Sequence, residues 1–167
     1  MNTRILPQSD EFPLAWEYDD ALDRDRFVDA KIEDETARAE AANVGFVHAY
    51  LQCVNTLDWS SLARPGEQPT LYWFRPITGL PRQRLKDLSC GTSEKHGLAF
   101  RMGLVRIEHG PTLPKLDAKV DREYSTLGPM LPRDAFDQLA RFESRDGSLV
   151  EQLGMFAWTR STDLLPL

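Results

Sequence analysis

The chain has 167 residues, 41% hydrophobic and 28% charged, with a formal charge of −6. That length allows one domain with its own core and is too short for two ordinary ones, and no apolar run approaches a membrane span. An acidic balance argues against nucleic acid as partner, and two cysteines without paired spacing, Cys53 and Cys90, exclude a disulfide framework and fit a reducing compartment.

The charge is uneven: residues 1–60 carry 5 basic and 13 acidic groups, whereas residues 61–110 carry 8 and 4. Such asymmetry predicts attraction between the acidic front and the basic middle, within one molecule or between copies. Residues 1–18 hold Pro7 and Pro13 among scattered apolar groups and show no sustained period. They read as an extended arm, and Phe12, Leu14 and Trp16 are its candidate contacts with its own body or a neighbour. The stretch also lacks a basic region followed by a continuous apolar one, so no secretory signal is expected.

Asp19 and Asp20 can cap a helix, with Asp23 in its first turn. Ala37, Ala41, Val44, His48 and Leu51 then recur at i, i+4, i+7, i+11 and i+14, an apolar stripe that predicts helix over 36–54. A single rod over residues 20–56 would be about 55 Å long at 1.5 Å per residue. It should therefore break or project, with Glu33-Asp34-Glu35 or Asn43-Val44-Gly45 as break points. Residues 55–69 hold turn-formers and prolines and read as a connecting loop anchored by Trp59 and Leu62.

Residues 70–76 are rich in β-formers and end at Pro76; a Thr78-Gly79 corner leads into a basic segment with Leu85 and Leu88 on one edge. Strand, corner and helix follow, with Thr78 as the expected N-cap. Tyr72, Trp73, Arg75, Arg82 and Arg84 are the candidate contact residues of this unit. Beyond Ser93, two apolar rows (Leu98, Met102, Val105 and Phe100, Leu104, Ile107) predict a buried helix, with a short strand at 104–108 as the alternative. Four prolines lie between His109 and Arg133, and the proline-rich segment 111–131 reads as a long loop or a second arm. Pro132 suits a helix start, Gly147 a stop, and Leu149, Leu153 and Phe156 the face of a second helix; together these predict a C-terminal helical hairpin. Leu164–Leu167 is an apolar tail suited to docking. The expected fold is α+β and mainly helical, with an acidic N-terminal helical region, a short strand around 70–76 and a C-terminal helical hairpin. Its organisation is expected to be an arm, 1–18, and a single domain, 19–167.

Catalytic signals are sparse. His48, His96 and His109 have no spacing that places two metal ligands on one face. Cys90 with His96 lacks an orienting third group, Ser60-Ser61 lacks a nucleophile elbow, and no glycine-rich phosphate loop occurs. No catalytic, metal or cofactor residues are therefore assigned.

The run Phe74-Arg75-Pro76-Ile77-Thr78-Gly79-Leu80-Pro81-Arg82-Gln83-Arg84-Leu85 resembles the start of tail assembly chaperones and related small morphogenesis proteins of tailed bacteriophages. The stretch from Leu131 through Trp158 is similar to their C-terminal part, so the resemblance covers residues 70–160. It implies a non-enzymatic protein of phage assembly or of the virion, possessing no cofactor and acting through contacts with other phage structural proteins or with copies of itself, in the host cytoplasm or the particle. Two roles stay open: a chaperone sheathing a partner with helical faces, or a structural component locking neighbours with arms. The competing classes are a small cytosolic enzyme whose site assembles only in three dimensions, and an acidic regulatory protein that masks a basic partner surface.

Overall fold

The computed structural model describes residues 10–111, 116–141, 143–144 and 147–163. The chain divides into two compact units, Glu17–Thr70 and Met1–Trp16 with Leu71–Leu167. This differs from the expected arm and single domain: residues 12–14 belong to the larger unit's sheet, and the acidic segment forms a unit of its own. The fold is α+β and mainly helical, with small antiparallel sheets.

In the larger unit, β1 (Phe12–Leu14) and β3 flank β2 (Leu71–Phe74) in the antiparallel order β1-β2-β3, with β3 spanning Leu104–Glu108. The register sets Phe12 opposite Phe74 and Leu14 opposite Tyr72. Alternation therefore sends Phe12, Leu14, Tyr72 and Phe74 to one face, where all four are buried. The expected arm is an edge strand over this stretch; residues 1–9 lie outside the described part.

The strand-corner-helix reading of 70–88 holds: α2 spans Gly79–Asp87 and buries Leu85. Thr78 occupies the N-cap position, but its side chain makes no capping bond, and the corner is turned by Gly79 at φ 64°. Both readings of the next stretch hold in part, since α3 (Thr92–Gly103) runs directly into β3. Six consecutive residues of α3, Leu98 to Gly103, are buried. Phe100 packs edge-on against Phe74 at 5.4 Å and against Phe136 at 6.2 Å, which joins the sheet to the helices.

The proline-rich segment is no free arm where it is described. Strands β4 (Lys119–Val120) and β5 (Pro129–Met130) pair, and Leu127, Met130 and Leu131 are buried. Arg101, 5% exposed, holds the segment down: its Nε donates to the Leu131 carbonyl at 2.9 Å and its terminal nitrogen to Asp121 at 2.8 Å. Arg133 donates to the same carboxylate and to Glu123.

Helices α4 (Arg133–Ala140) and α5 (Leu149–Asp163) are separated by a two-stranded turn, β6 (Glu143–Ser144) with β7 (Gly147–Ser148). This turn joins them as the expected C-terminal hairpin, and α5 also packs extensively on α3. The backbones come so close that a Cβ at Gly154 would stand 1.9 Å from the His96 carbonyl oxygen. Ser161 locks the far end of α5, accepting from the Ile77 amide at 2.9 Å and donating to the Ala157 carbonyl.

The smaller unit is built on α1 (Glu35–Thr56). Asp34 caps it, accepting from the Ala37 amide at 2.9 Å, so the chain breaks at the first of the two expected points. The helix expected from Asp19 does not form. Asp19 accepts from the amide of Ala21, Asp23 from that of Arg26 and Asp29 from that of Lys31, and these local bonds turn the chain instead of propagating it. Phe27, Phe46, Tyr50 and Trp59 form a continuous aromatic chain, with neighbouring ring centres 5.3 to 6.2 Å apart. The Arg24 guanidinium lies 3.9 Å over the Phe46 ring. Trp59 and Leu62 are buried, as the loop reading requires.

Candidate functional site

A helix of 22 residues normally buries one face, and α1 does so only in its second half. Phe46, Tyr50, Cys53 and Val54 are buried, whereas no residue from Glu35 to Gly45 is. The apolar stripe read from the sequence, Ala37-Ala41-Val44-His48-Leu51, points outward, and all five residues are exposed. Val44 is 69% and Leu51 43% exposed. The spacing 4-3-4-3 is the heptad seam by which helices pair. Burial followed the larger side chains, because Phe46 and Tyr50 remove far more apolar area from water than alanines do.

The expected contact residues divide among three places. Phe12, Leu14 and Tyr72 lie in the core beneath the sheet, which removes them as partner contacts in this conformation, and Trp16 is half-buried just past β1. Trp73 points to the opposite face of the sheet, in register with Pro13 and Arg106. The Arg106 guanidinium covers its ring at 4.2 Å and pairs with Glu11 at 3.3 Å. Arg75 is exposed. Arg82 stacks on Trp158 at 4.0 Å and donates to the Trp158 carbonyl, and burial lowers its pKa. Arg84 donates to the Thr126 carbonyl at 2.9 Å. Arg82 and Arg84 thus hold elements of their own unit together, and no single surface gathers the eight residues.

Among the described residues of the larger unit, two of the concavities are a cleft and a notch. A cleft of about 320 Å³ is lined by Ser93, Glu94, Gly97, Phe136, Ser148 and Glu151, among others. Ser93 donates to Glu151 at 2.7 Å, and the Tyr124 hydroxyl donates to Glu94. That bond, then burial, pushes the phenol up to about 12. Neither His nor Cys is in its lining. A notch of about 200 Å³ is lined by Lys86, Lys95, His96 and Trp158 together with Leu85 and Thr92. Lys95 is occupied there, donating to the Lys86 carbonyl at 2.7 Å.

The electrostatic perturbation at Asp121 is structural. The Arg133 and Arg101 guanidinium groups hold the Asp121 carboxyl far below the usual carboxylate range, and its side chain is only 8% exposed. Burial, then Glu17 and Cys53, pushes the Tyr50 phenol well above its ordinary value. Among the described residues, no group of three or more His, Cys, Asp or Glu side chains is placed to hold a metal ion, and no helix is long and apolar enough to cross a membrane. Cys53 and Cys90 are free thiols. Compared with known proteins, the chain matches no family model, no curated protein and no solved structure.

Proposed function

We propose that this chain is a non-enzymatic assembly protein of a tailed bacteriophage, acting through protein–protein contacts in tail morphogenesis, in the host cytoplasm or within the virion. The observation that carries the reading is the outward seam of α1, an apolar heptad stripe left exposed on a helix that buries its other face only from Phe46 onward. The resemblance of residues 70–160 to tail assembly chaperones supplies the biological setting. Residues 10–16 and 116–131 fold onto their own unit, so the described structure offers a partner a helical face in place of arms. That favours the chaperone over the particle component.

The test is to delete the coding sequence from the phage or prophage that carries it and to count complete particles by electron microscopy. Complementation follows with wild-type protein and with Val44→Glu plus Leu51→Glu. The reading expects tail-deficient particles on deletion, rescue by the wild type and no rescue by the double variant. Normal particles after deletion would overturn it.

A further inference from the structure

The cleft between α3, α4 and α5 is lined by two kinds of side chain. Leu98, Phe136, Ala140 and Val150 make most of it apolar. Phe136 and Ala140 lie one helical turn apart on α4, as do Glu94 and Leu98 on α3, so each helix turns one side to the same space. Gly97 leaves the edge of the Phe136 ring uncovered from α3, where a Cβ would stand 3.4 Å from it. The remaining lining is acidic: Glu94 and Glu151 border the cleft, and no Lys, Arg or His does. Among the described residues neither carboxylate forms an ion pair. Hydroxyl groups hold one oxygen of each, Tyr124 donating to Glu94 Oε1 and Ser93 to Glu151 Oε1 at 2.7 Å. A carboxylate has two oxygens, so each keeps Oε2 as an acceptor.

We infer that this cleft receives one arginine side chain of a partner protein, with the guanidinium against Glu94 and Glu151 and the aliphatic stem along Phe136 and Leu98. The inference deepens the assembly reading by giving the partner a chemistry, and rests on that reading only for the partner's being a protein. Charge complementarity selects a cation. Two carboxylates in an otherwise apolar lining are too few oxygens for Ca²⁺ or Mg²⁺ and suit an organic cation with a hydrocarbon stem. A volume of about 320 Å³ is at the small end of ligand sites, the size for a single long side chain and not for a folded segment. Arginine fits better than lysine, because a planar guanidinium can meet two carboxylates through separate N–H edges, packs on an aromatic ring and is less strongly hydrated than an ammonium. Glu94 is exposed and Glu151 half-buried, so solvent screens the pair and one isolated side chain binds weakly, with Kd of about 1–10 mM.

Amide NMR titration of the full chain tests this, with N-acetyl-arginine methylamide as the probe. Its citrulline counterpart, which has nearly the same shape without the charge, and its lysine counterpart are run beside it. The expected result is saturable shifts at residues 93–98 and 148–151, with binding at least fivefold weaker for citrulline, weaker for lysine, and at least fivefold weaker in Glu94→Gln plus Glu151→Gln. Glutamine keeps the size and an acceptor oxygen, so the double variant should retain the wild-type circular dichroism. No saturable shift up to about 50 mM probe, or shifts centred elsewhere, would overturn the site. Citrulline binding as tightly as arginine, or a folded double variant binding like wild type, would overturn the carboxylates as its recognition groups, and lysine binding as tightly would overturn arginine as the occupant. If the titration fails while deletion still yields tail-deficient particles, the assembly reading survives without this inference. If arginine binds as described while deletion leaves particles normal, the assembly reading falls and the arginine site stands.

Discussion

Gly154→Ala asks whether α3 and α5 meet backbone to backbone. A Cβ at 154 would lie 1.9 Å from the His96 carbonyl oxygen and 2.7 Å from its carbon. A carbon and a carbonyl oxygen need about 3.3 Å, so the helices must part by roughly 1.4 Å or bend. The obstructing atom belongs to helix backbone and cannot swing aside as a side chain would. Overpacking of this kind costs about 3 kcal/mol or more, against a helix-propensity gain of about 1 kcal/mol for replacing glycine with alanine. The net effect is a destabilisation of about 2 kcal/mol and a fall in Tm of roughly 4–8 °C. Gly97→Ala is the matched control. It also lies inside a helix, but its Cβ would meet Phe136 at an ordinary 3.4 Å, so it should be neutral or stabilise by up to about 1 kcal/mol. Thermal and urea melts followed by circular dichroism read both. A Gly154→Ala protein as stable as wild type, or the two variants indistinguishable, would refute the close helix contact.

Asp121→Asn leaves the buried Arg101 without its counter-charge and should cost about 3 kcal/mol in urea unfolding. The folded-state pKa of Asp121 is depressed, so its contribution is present in full above about pH 4, the unfolded carboxylate range, and decays as pH falls further. Wild type should therefore lose more stability between pH 5 and pH 2 than Asp121→Asn does, and equal losses would contradict the role given to this carboxylate. Tyr124 should ionise near pH 12 by absorbance titration, and Glu94→Gln should bring it down; an unchanged midpoint would deny the hydrogen bond. Leu51→Glu alone should change stability by no more than about 0.5 kcal/mol, as befits an exposed site.

Local chemistry made the limits of α1 and the 70–88 unit readable: an acid before a periodic run, and a β-forming stretch closed by proline and glycine. The face of α1 was harder, because a stripe counted by periodicity weighs Ala37 and Ala41 like Phe46 and Tyr50, although burial is decided by area. The strand at Phe12–Leu14 escaped because its partner lies some 60 residues away, and sequence patterning carries little about non-local pairing. Asp19, which could have capped a helix, turned the chain instead, since either outcome satisfies the same carboxylate. Gly154 reads in sequence as a weak point of a helix, and only the approach of His96 gives it a purpose. The apolar tail Leu164–Leu167 lies outside the described residues.

The most direct measurement of the α1 face is the mass in solution by light scattering across a concentration series, for wild type and Val44→Glu side by side. Wild type should rise from the monomer mass of 19.0 kDa toward twice that value as concentration increases, while Val44→Glu holds at 19.0 kDa. A wild-type mass fixed at 19.0 kDa up to about 1 mM, or a rise shared equally by the variant, would contradict self-association through this face and leave another protein as its partner.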